Sequence, residues 1–343
     1  MKRWFVAVVA VLAALTVVLT GCSGGEGSTS DPSASEHRPI RIGKGLTHES
    51  ETLAYLYAGA LRDAGYKTEV IDSATSREQY VEDMKVGGDS SPDVVPDYSG
   101  NLLLGLTHGG KDNPQASATP SPTESSGIDP RASASVTPSP TPTADFNVHG
   151  MSSSDITATL PKVLPDGVGT LNASSAENKD ALVVNRITAA KFKLSTISDV
   201  AEKCQELTFG VPKDFPSKTY GEKGLRDLYG CSPKKFVEVD NQEDLANQLA
   251  SGQVDVADIF SASAAIPDNN YLVLEDPKAN FVAQQVIPVV RKDELPDSAR
   301  DAINSLSGKL ATADLIFLDR LTTGDQPISA EDAANFWLKE NDG

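Results

Sequence analysis

The chain has 343 residues, of which 39% are hydrophobic and 23% charged, and this composition is typical of a globular protein of about two domains. Its formal net charge of −18 makes nucleic acid and anionic membrane surfaces poor partners. An acidic balance of this kind fits a soluble, solvated body and identifies no substrate by itself.

The first 21 residues have the pattern of a bacterial lipoprotein signal peptide. Lys2 and Arg3 precede an apolar run at 4–20, which is short for a membrane-spanning helix. The run ends in Leu-Thr-Gly-Cys, the arrangement in which the cysteine receives a lipid and becomes the new N-terminus. We therefore expect a domain tethered through Cys22 to the extracytoplasmic face of the cell membrane. The alternative is an ordinary secretory signal followed by a chance cysteine.

Two tracts of small and polar residues interrupt the rest of the chain. Residues 22–38 have the composition of a flexible stalk between lipid and fold. Residues 111–150 are rich in Ser, Pro and Thr and contain the string TPSPT at 119–123 and again at 137–141. Such a tract buries too little apolar surface to offset its ordering entropy, so we expect a disordered insertion on the surface.

The remaining sequence alternates short apolar strands with amphipathic helices. The predicted strands lie at 40–43, 67–72, 93–96, 181–185, 207–212, 235–240, 254–260 and 281–290, and the helices at 49–64, 76–86, 152–164 and 241–251 and within 296–339. Ser76 with Gln79 and Asn241 with Gly252 are the helix boundary signals. Repeated βα units predict an α/β protein with mostly parallel sheets, and the length suggests two lobes.

Cysteine and histidine usage favours a binding protein over an enzyme. Outside the cytoplasm, the remaining pair Cys204 and Cys231 predicts a disulfide, although two separate buried thiols are the alternative. His48 stands at a helix start, where a solvated or capping role is expected. No nucleophile elbow, zinc-protease motif, phosphate loop or dinucleotide loop follows a predicted strand, and no metal site or cofactor is expected. We therefore expect no enzymatic activity.

Several motifs in order resemble one protein family from Ile40 to the C-terminus. The strings IGKGLTHES (42–50), VPDYSGN (95–101), AENKDALVV (176–184) and LASGQVDVADIFSAS (249–263) are similar to motifs of the glycine-betaine and related osmoprotectant-binding proteins of ABC importers. The insertion departs from the family pattern, which has only a short connection there.

The resemblance implies a two-lobed, periplasmic-binding-protein-like clam of type II. Lobe 1 would comprise 39–110 and 286–343, lobe 2 would comprise 180–285, and 151–179 would connect them. Ligand would bind in the cleft between the lobes, and closure by a hinge motion would present a surface to the ABC permease. A monomer is expected.

The resemblance also implies a site that recognises a quaternary ammonium with aromatic faces, because such a cation has no N–H to donate. Tyr98 matches a family cage tyrosine. Asn101 falls where the family has a carboxylate-binding threonine, and Lys218 falls where it often has arginine. Glu49 matches the end of the first signature, and Lys44 lies one position before the lysine of the family turn.

Other cage positions differ from the family. Asp180 and Phe260 each replace a tyrosine, and Gln284 (or Gln285) stands where aromatic residues are usual. Asp180 could attract a cation electrostatically, which would suit a choline-like ligand. Alternatively, Asp180 is a solvated turn residue and the cage is completed elsewhere, with Tyr220 and Tyr271 as spare aromatic residues.

The function expected from the resemblance is delivery of a quaternary-ammonium osmolyte, of the glycine betaine, carnitine or choline type, to an ABC importer. One alternative keeps the fold and changes the ligand to another polar amine or amino acid derivative. Another is a sensor or adhesive lipoprotein whose insertion contacts other proteins.

Overall fold

A computed structural model of the protein describes residues 38–72, 74–109 and 148–341. The predictions for the signal peptide, for lipidation at Cys22, for the stalk up to residue 37 and for most of the insertion lie outside these residues. Within the described ranges, no helix is both long and apolar enough to cross a lipid bilayer.

Strands and helices alternate along the chain, as the sequence predicts. The strands are β1 (Ile40–Gly43), β2 (Thr68–Ile71), β3 (Val94–Tyr98), β4 (Val168–Thr170), β5 (Leu182–Val184), β6 (Thr208–Pro212), β7 (Lys235–Val239), β8 (Val256–Asp258), β9 (Leu272–Val273) and β10 (Val286–Arg291). The helices are α1 (His48–Asp63), α2 (Arg77–Val86), α3 (Ser99–Leu106), α4 (Ser153–Thr159), α5 (Arg186–Phe192), α6 (Ile197–Lys203), α7 (Glu222–Tyr229), α8 (Gln242–Ser251), α9 (Ala265–Asp268), α10 (Asp297–Lys309), α11 (Thr312–Thr323) and α12 (Ala330–Asn341).

The strands form two separate sheets of five strands each, which gives the two-lobed α/β architecture that the sequence predicts. The first sheet has the order β2-β1-β3-β10-β4 and the second has the order β7-β6-β8-β5-β9. In each sheet the first three strands pair in parallel. The remaining pairings, which involve β10 in the first sheet and β5 in the second, are antiparallel.

The pairing of β5 differs from what its sequence indicates. Its continuous apolar run is typical of a parallel strand, yet it pairs antiparallel with both β8 and β9. The run is apolar because all of Leu182, Val183 and Val184 are fully buried, and burial on both faces does not depend on strand direction. Both β5 and β10 enter their sheets from the other lobe, which accounts for their reversed direction.

The segment 151–179, expected as a connector, belongs largely to the first lobe. It contributes α4 and the edge strand β4, which pairs with β10 through residues 168–170. Neither β4 nor β9 is indicated by a sequence pattern, because strands of three and two residues are too short to show a period.

Two chain segments cross between the lobes, and they lie side by side. Asn178 N–H donates to the Gln284 carbonyl at 3.1 Å, and Glu177 and Gln285 form an antiparallel bridge. A third connection involves α11: the Asp319 carboxylate accepts from the Ala264 backbone at 2.7 Å. The lobes are therefore joined by a two-stranded ribbon and braced by a helix of the first lobe.

Local signals in the sequence set several helix ends. Ser76 caps α2 by accepting from Gln79 N–H, and Asn241 caps α8, which ends at Gly252 in a left-handed conformation. The Cys204–Cys231 disulfide forms as predicted and links the C-cap residue of α6 to the second residue after α7.

Candidate functional site

A cavity of about 320 Å³ lies between residues of the two lobes. Its first-lobe wall is short, and most of its lining comes from loops and strand ends of the second lobe. The lining residues are Leu46, Thr47, Arg77, Asn101, Asp180, Pro212, Asp214, Lys218, Tyr220, Asp240, Asn241, Gln242 and Phe260. Ends of strands are the usual place for ligands in α/β proteins.

The turn between β3 and α3 positions Asn101 at the cavity. Gly100 is required there because a Cβ atom would lie 2.3 Å from the Ala283 carbonyl oxygen. This close approach lets the Gln284 side chain accept from Asn101 N–H at 2.9 Å, which satisfies an amide that the helix start leaves without an intrahelical partner. Ser99 pairs with Gln285 by both its backbone N–H and its hydroxyl.

Arg77, at the start of α2, forms another part of the first-lobe wall. Its guanidinium holds the Asp97 carboxylate through Nε and Nη2, with distances from 2.7 to 3.2 Å. Asp97 is 2% exposed and also accepts from the Tyr80 hydroxyl at 2.6 Å. The Arg77 side chain is thereby fixed beside the cavity by a buried partner.

Asp180 and Phe260 line the cavity at the same end of the neighbouring strands β5 and β8. Leu182 lies opposite Asp258 in the β5–β8 pairing, and the ladder continues with Ile259 N–H donating to Ala181 O and Ser261 N–H to Lys179 O. Because side chains alternate along a strand, residues 180, 258 and 260 share one face. Phe260 is held in place by its N–H, which donates to the Gln242 side chain at 2.9 Å.

Tyr220 supplies a second aromatic ring to the cavity. It is 5% exposed and packs edge-on or tilted against Phe215 and Phe281, with ring centroids 6.4 and 5.8 Å away. Its backbone carbonyl accepts from the buried Asn280 side chain at 2.7 Å. Burial, followed by the charges of Asp180 and Asp258, raises the pKa of the Tyr220 hydroxyl, so this group is a neutral donor.

The charges around the cavity are unevenly compensated. Arg77 is paired with Asp97, and Lys218 with Asp214 at 2.6 Å. Asp240 is paired with Lys213. In the part of the chain that the structure describes, Asp180 has no ion-pair partner. Burial raises the pKa of Asp180, while the Tyr220 hydrogen bond and the nearby Lys218 lower it.

Four of the predicted ligand-binding residues line the cavity: Asn101, Asp180, Lys218 and Phe260. The other four lie elsewhere. Tyr98 is 3% exposed and packs in the apolar cluster behind β3 with Leu53 and Val286. Its hydroxyl makes no hydrogen bond of good geometry, although Asn178 lies close by. Burial and the charge of Glu49 raise the pKa of Tyr98 well above its usual value.

The remaining three predicted residues serve other contacts. Gln284 is 1% exposed and caps α3, so it shapes the turn and does not face the cavity. Lys44 forms ion pairs with Glu51 at 3.0 Å and Asp72 at 3.2 Å. Glu49 lines a separate shallow pocket next to Asp319. These four residues are therefore not among those that line the cavity.

Arg77 and the acidic residues Asp214 and Asp240 in the cavity wall are not predicted from the sequence. Arg77 has no motif around it, and only its long-range pairing with Asp97 brings it to the site. Tyr220 was considered only as a spare aromatic residue. Within the described residues, no group of three or more His, Cys, Asp or Glu side chains is arranged to hold a metal ion.

Several known proteins are similar to this chain in sequence or in fold. Residues 38–340 match the family described as the substrate-binding domain of ABC-type glycine betaine transport systems. The carnitine transport binding protein OpuCC of Listeria monocytogenes is 27% identical over 167 residues, which are 48% of this chain and 54% of that protein. The ergothioneine transport permease/ergothioneine binding protein EgtU of Helicobacter pylori is 28% identical over 116 residues, 34% of this chain and 21% of that protein.

The chain spans about half the length of the OpuCC protein it matches and less of the other. Among solved structures, a glycine betaine/carnitine/choline ABC transporter protein superposes with a TM-score of 0.66 at 18% identity, covering 88% of this chain and 98% of that one. This likeness concerns the fold and agrees with the two-lobed architecture. Since the family match extends over residues 38–340, the chain belongs to the substrate-binding domains of ABC-type glycine betaine transport systems, a family of transport proteins and not of enzymes.

Proposed function

We propose that this protein is an extracytoplasmic solute-binding protein that delivers a quaternary-ammonium osmolyte to an ABC importer. The observation that carries the proposal is the cavity between the lobes, where two aromatic rings, Tyr220 and Phe260, stand beside the buried acid Asp180. The proposed ligand class includes glycine betaine, carnitine and choline.

The chemistry of this wall suits a methylated cation. A quaternary ammonium cannot donate a hydrogen bond, so a protein attracts it through ring faces and through charge. Each ring contributes about 0.5–2 kcal/mol, more where water is excluded. Asp180 adds a negative charge in a site where burial limits screening by solvent. We therefore propose Tyr220 and Phe260 as the aromatic faces of the site, a role that the family resemblance implies for Tyr98.

The opposite wall offers groups for the rest of the ligand. Asn101 presents an amide side chain, and Arg77 and Lys218 present cationic groups that are already engaged by Asp97 and Asp214. A ligand carboxylate or hydroxyl would bind here, with Lys218 as a point charge and not as a bidentate fork.

Closure of the lobes around the ligand is the proposed transport signal. The ribbon formed by the two crossing segments is the hinge, and the ligand would favour the closed state because it contacts both walls at once. The permease would then bind a surface that forms only when the lobes are closed.

The cellular setting is proposed from the sequence. A lipid on Cys22 would hold the domain at the extracytoplasmic membrane surface, residues 22–38 would be a tether, and the protein would act as a monomer without catalytic activity. Mass spectrometry of the protein from membranes would detect the lipid, and Cys22→Ala would abolish it and release the domain from the membrane fraction.

The direct test is a titration of the purified domain with glycine betaine, carnitine, choline and ergothioneine, followed by tyrosine and tryptophan fluorescence and by thermal shift. We expect at least one quaternary amine to bind. Tyr220→Ala should weaken that binding by about tenfold, since a ring contribution of about 1.4 kcal/mol corresponds to that factor. Tyr271→Ala is the matched control, because Tyr271 lies in a separate apolar cluster of the second lobe.

If none of these compounds binds at millimolar concentration, the osmolyte function is wrong. Binding of an uncharged or primary amine in their place would support the alternative of a different polar ligand on the same fold. Retained binding after deletion of 111–144 is expected; loss of binding would place the insertion in the site.

A further inference from the structure

The second carboxyl group behind the cavity, Asp258, has no role in the site as described so far. It lies in β8, is 1% exposed, and shares a sheet face with Asp180 and Phe260. Neither of its carboxylate oxygens has a hydrogen-bond partner among the described residues. A buried ionised carboxylate without donors is costly, so this arrangement needs a physical explanation.

A proton on Asp258 resolves the problem. Two ionised carboxylates can only accept hydrogen bonds, so they cannot bond to each other, whereas a protonated carboxyl group donates one. Asp258 lies opposite Leu182 in the β5–β8 pairing, so Asp180 is its diagonal neighbour on the same face of the sheet. Burial, and then the Asp180 charge, raises the pKa of Asp258 well above its usual value, which agrees with a neutral acid at this position.

We propose, building on the proposed function, that Asp258 stays protonated, donates to Asp180, and so makes the site selective for ligands with a single net positive charge. Asp258 is a positioning residue in this arrangement: it orients Asp180 and limits the pair to one negative charge. Asp180 is the group that faces the ligand cation.

The surrounding charges explain why a net cation is selected. The groups that face the pair are Tyr220, Lys218 and Asp214. Tyr220 is neutral, and Lys218 is engaged by Asp214 at 2.6 Å. Arg77, across the cavity, is engaged by Asp97. The carboxylate of a zwitterion would have to compete with Asp214 for Lys218 or with Asp97 for Arg77. A choline-type cation has no carboxylate and compensates the single negative charge of the Asp180–Asp258 pair.

Three variants separate this arrangement from a purely structural role. Asp258→Asn keeps a donor for Asp180 and carries no charge, so choline affinity should stay within about threefold of wild type. Asp258→Ala removes the donor and should weaken choline binding more than Asp258→Asn does. Asp180→Asn removes the charge and should weaken choline binding by about tenfold or more, with a smaller effect on glycine betaine. Circular dichroism and thermal melting confirm that each variant is folded.

The protonation state of Asp258 can be measured in the absence of any ligand. Carboxyl ¹³C NMR of aspartate-labelled protein, assigned with the two Asn variants, should show Asp258 protonated and Asp180 ionised at about pH 7. Calorimetric titrations of wild type with choline and glycine betaine complete the test, and choline should bind more tightly.

Two results would overturn the proposal: an ionised Asp258 in the empty protein, or a loss of choline affinity in Asp258→Asn as large as in Asp180→Asn. Tighter binding of glycine betaine than of choline would refute the selectivity while leaving the osmolyte function standing. Failure of every quaternary amine to bind would instead refute the osmolyte function and the selectivity together, and the NMR spectrum would still decide the protonation of Asp258.

Discussion

Replacing Arg77 with methionine should destabilise the first lobe strongly. The change keeps most of the side-chain length and removes the only cation that pairs with Asp97 among the described residues. Asp97 is 2% exposed, so its carboxylate would remain buried without a counter-charge. Removing one member of a buried ion pair costs about 3–5 kcal/mol, and we expect the lower end, about 3 kcal/mol, because the Tyr80 hydroxyl and the Tyr98 N–H still donate to Asp97.

The assay is urea denaturation near neutral pH, with Arg38→Met as the matched control. Arg38 also pairs with a buried acid, Asp93, but its side chain is 37% exposed and Arg291 supplies a second cation to Asp93 at 3.3 Å. The control should therefore lose about 1 kcal/mol or less. A loss below about 1 kcal/mol in Arg77→Met, with an unchanged urea dependence, would refute the claim that this pair holds the cavity wall.

Three further predictions concern backbone packing, the disulfide and pH. Gly100→Ala places a Cβ against a carbonyl of the crossing segment and should lower both the melting temperature and ligand affinity, whereas Gly308→Ala, where nothing lies within 4 Å, should stabilise α10 by up to about 1 kcal/mol. Replacing Cys204 and Cys231 together with serine should cost about 3 kcal/mol in urea denaturation, and no loss would show that the loop is held by packing alone. Because the pKa of Asp258 is raised, the native state holds more protons than the unfolded chain, so its contribution to stability falls as pH rises above about 4, and Asp258→Asn should remove that slope from denaturation curves measured between about pH 4 and 8.

Local sequence signals were sufficient for most of the longer elements and for the α/β fold class. Helix caps at Ser76 and Asn241, the amphipathic period of α1 and the alternation of strands and helices are short-range features, and the structure contains them. The direction of β5 and the presence of β4 and β9 depend on which strand lies beside which, and that is a long-range property of the chain.

Of the candidate site, the sequence predicts some of the residues that line the cavity but not the packing of their neighbours. Asn101 and Tyr98 stand three residues apart in one motif, yet Asn101 lines the cavity and Tyr98 packs behind the strand. Tyr98 is the last residue of β3, whose side chains alternate between faces, whereas Asn101 lies in the first turn of α3, so the two side chains follow different geometries. Arg77 illustrates the other limit, because a residue without a motif is brought to the cavity only by its partner Asp97.

The ribbon of paired crossing segments has a consequence for how affinity can change over evolution. Asn178 bonds to Gln284 and Glu177 bridges Gln285, so the two crossing segments are held together as one ribbon. Any rotation of one lobe relative to the other would therefore bend or twist both segments together. With the proposed closure, the observed dissociation constant would depend on the fraction of ligand-free molecules in which the ribbon already has the conformation of the closed state. With the proposed hinge motion, substitutions in this ribbon, or in the Asp319 contact that braces it, would therefore change ligand affinity while every residue that lines the cavity stays unchanged.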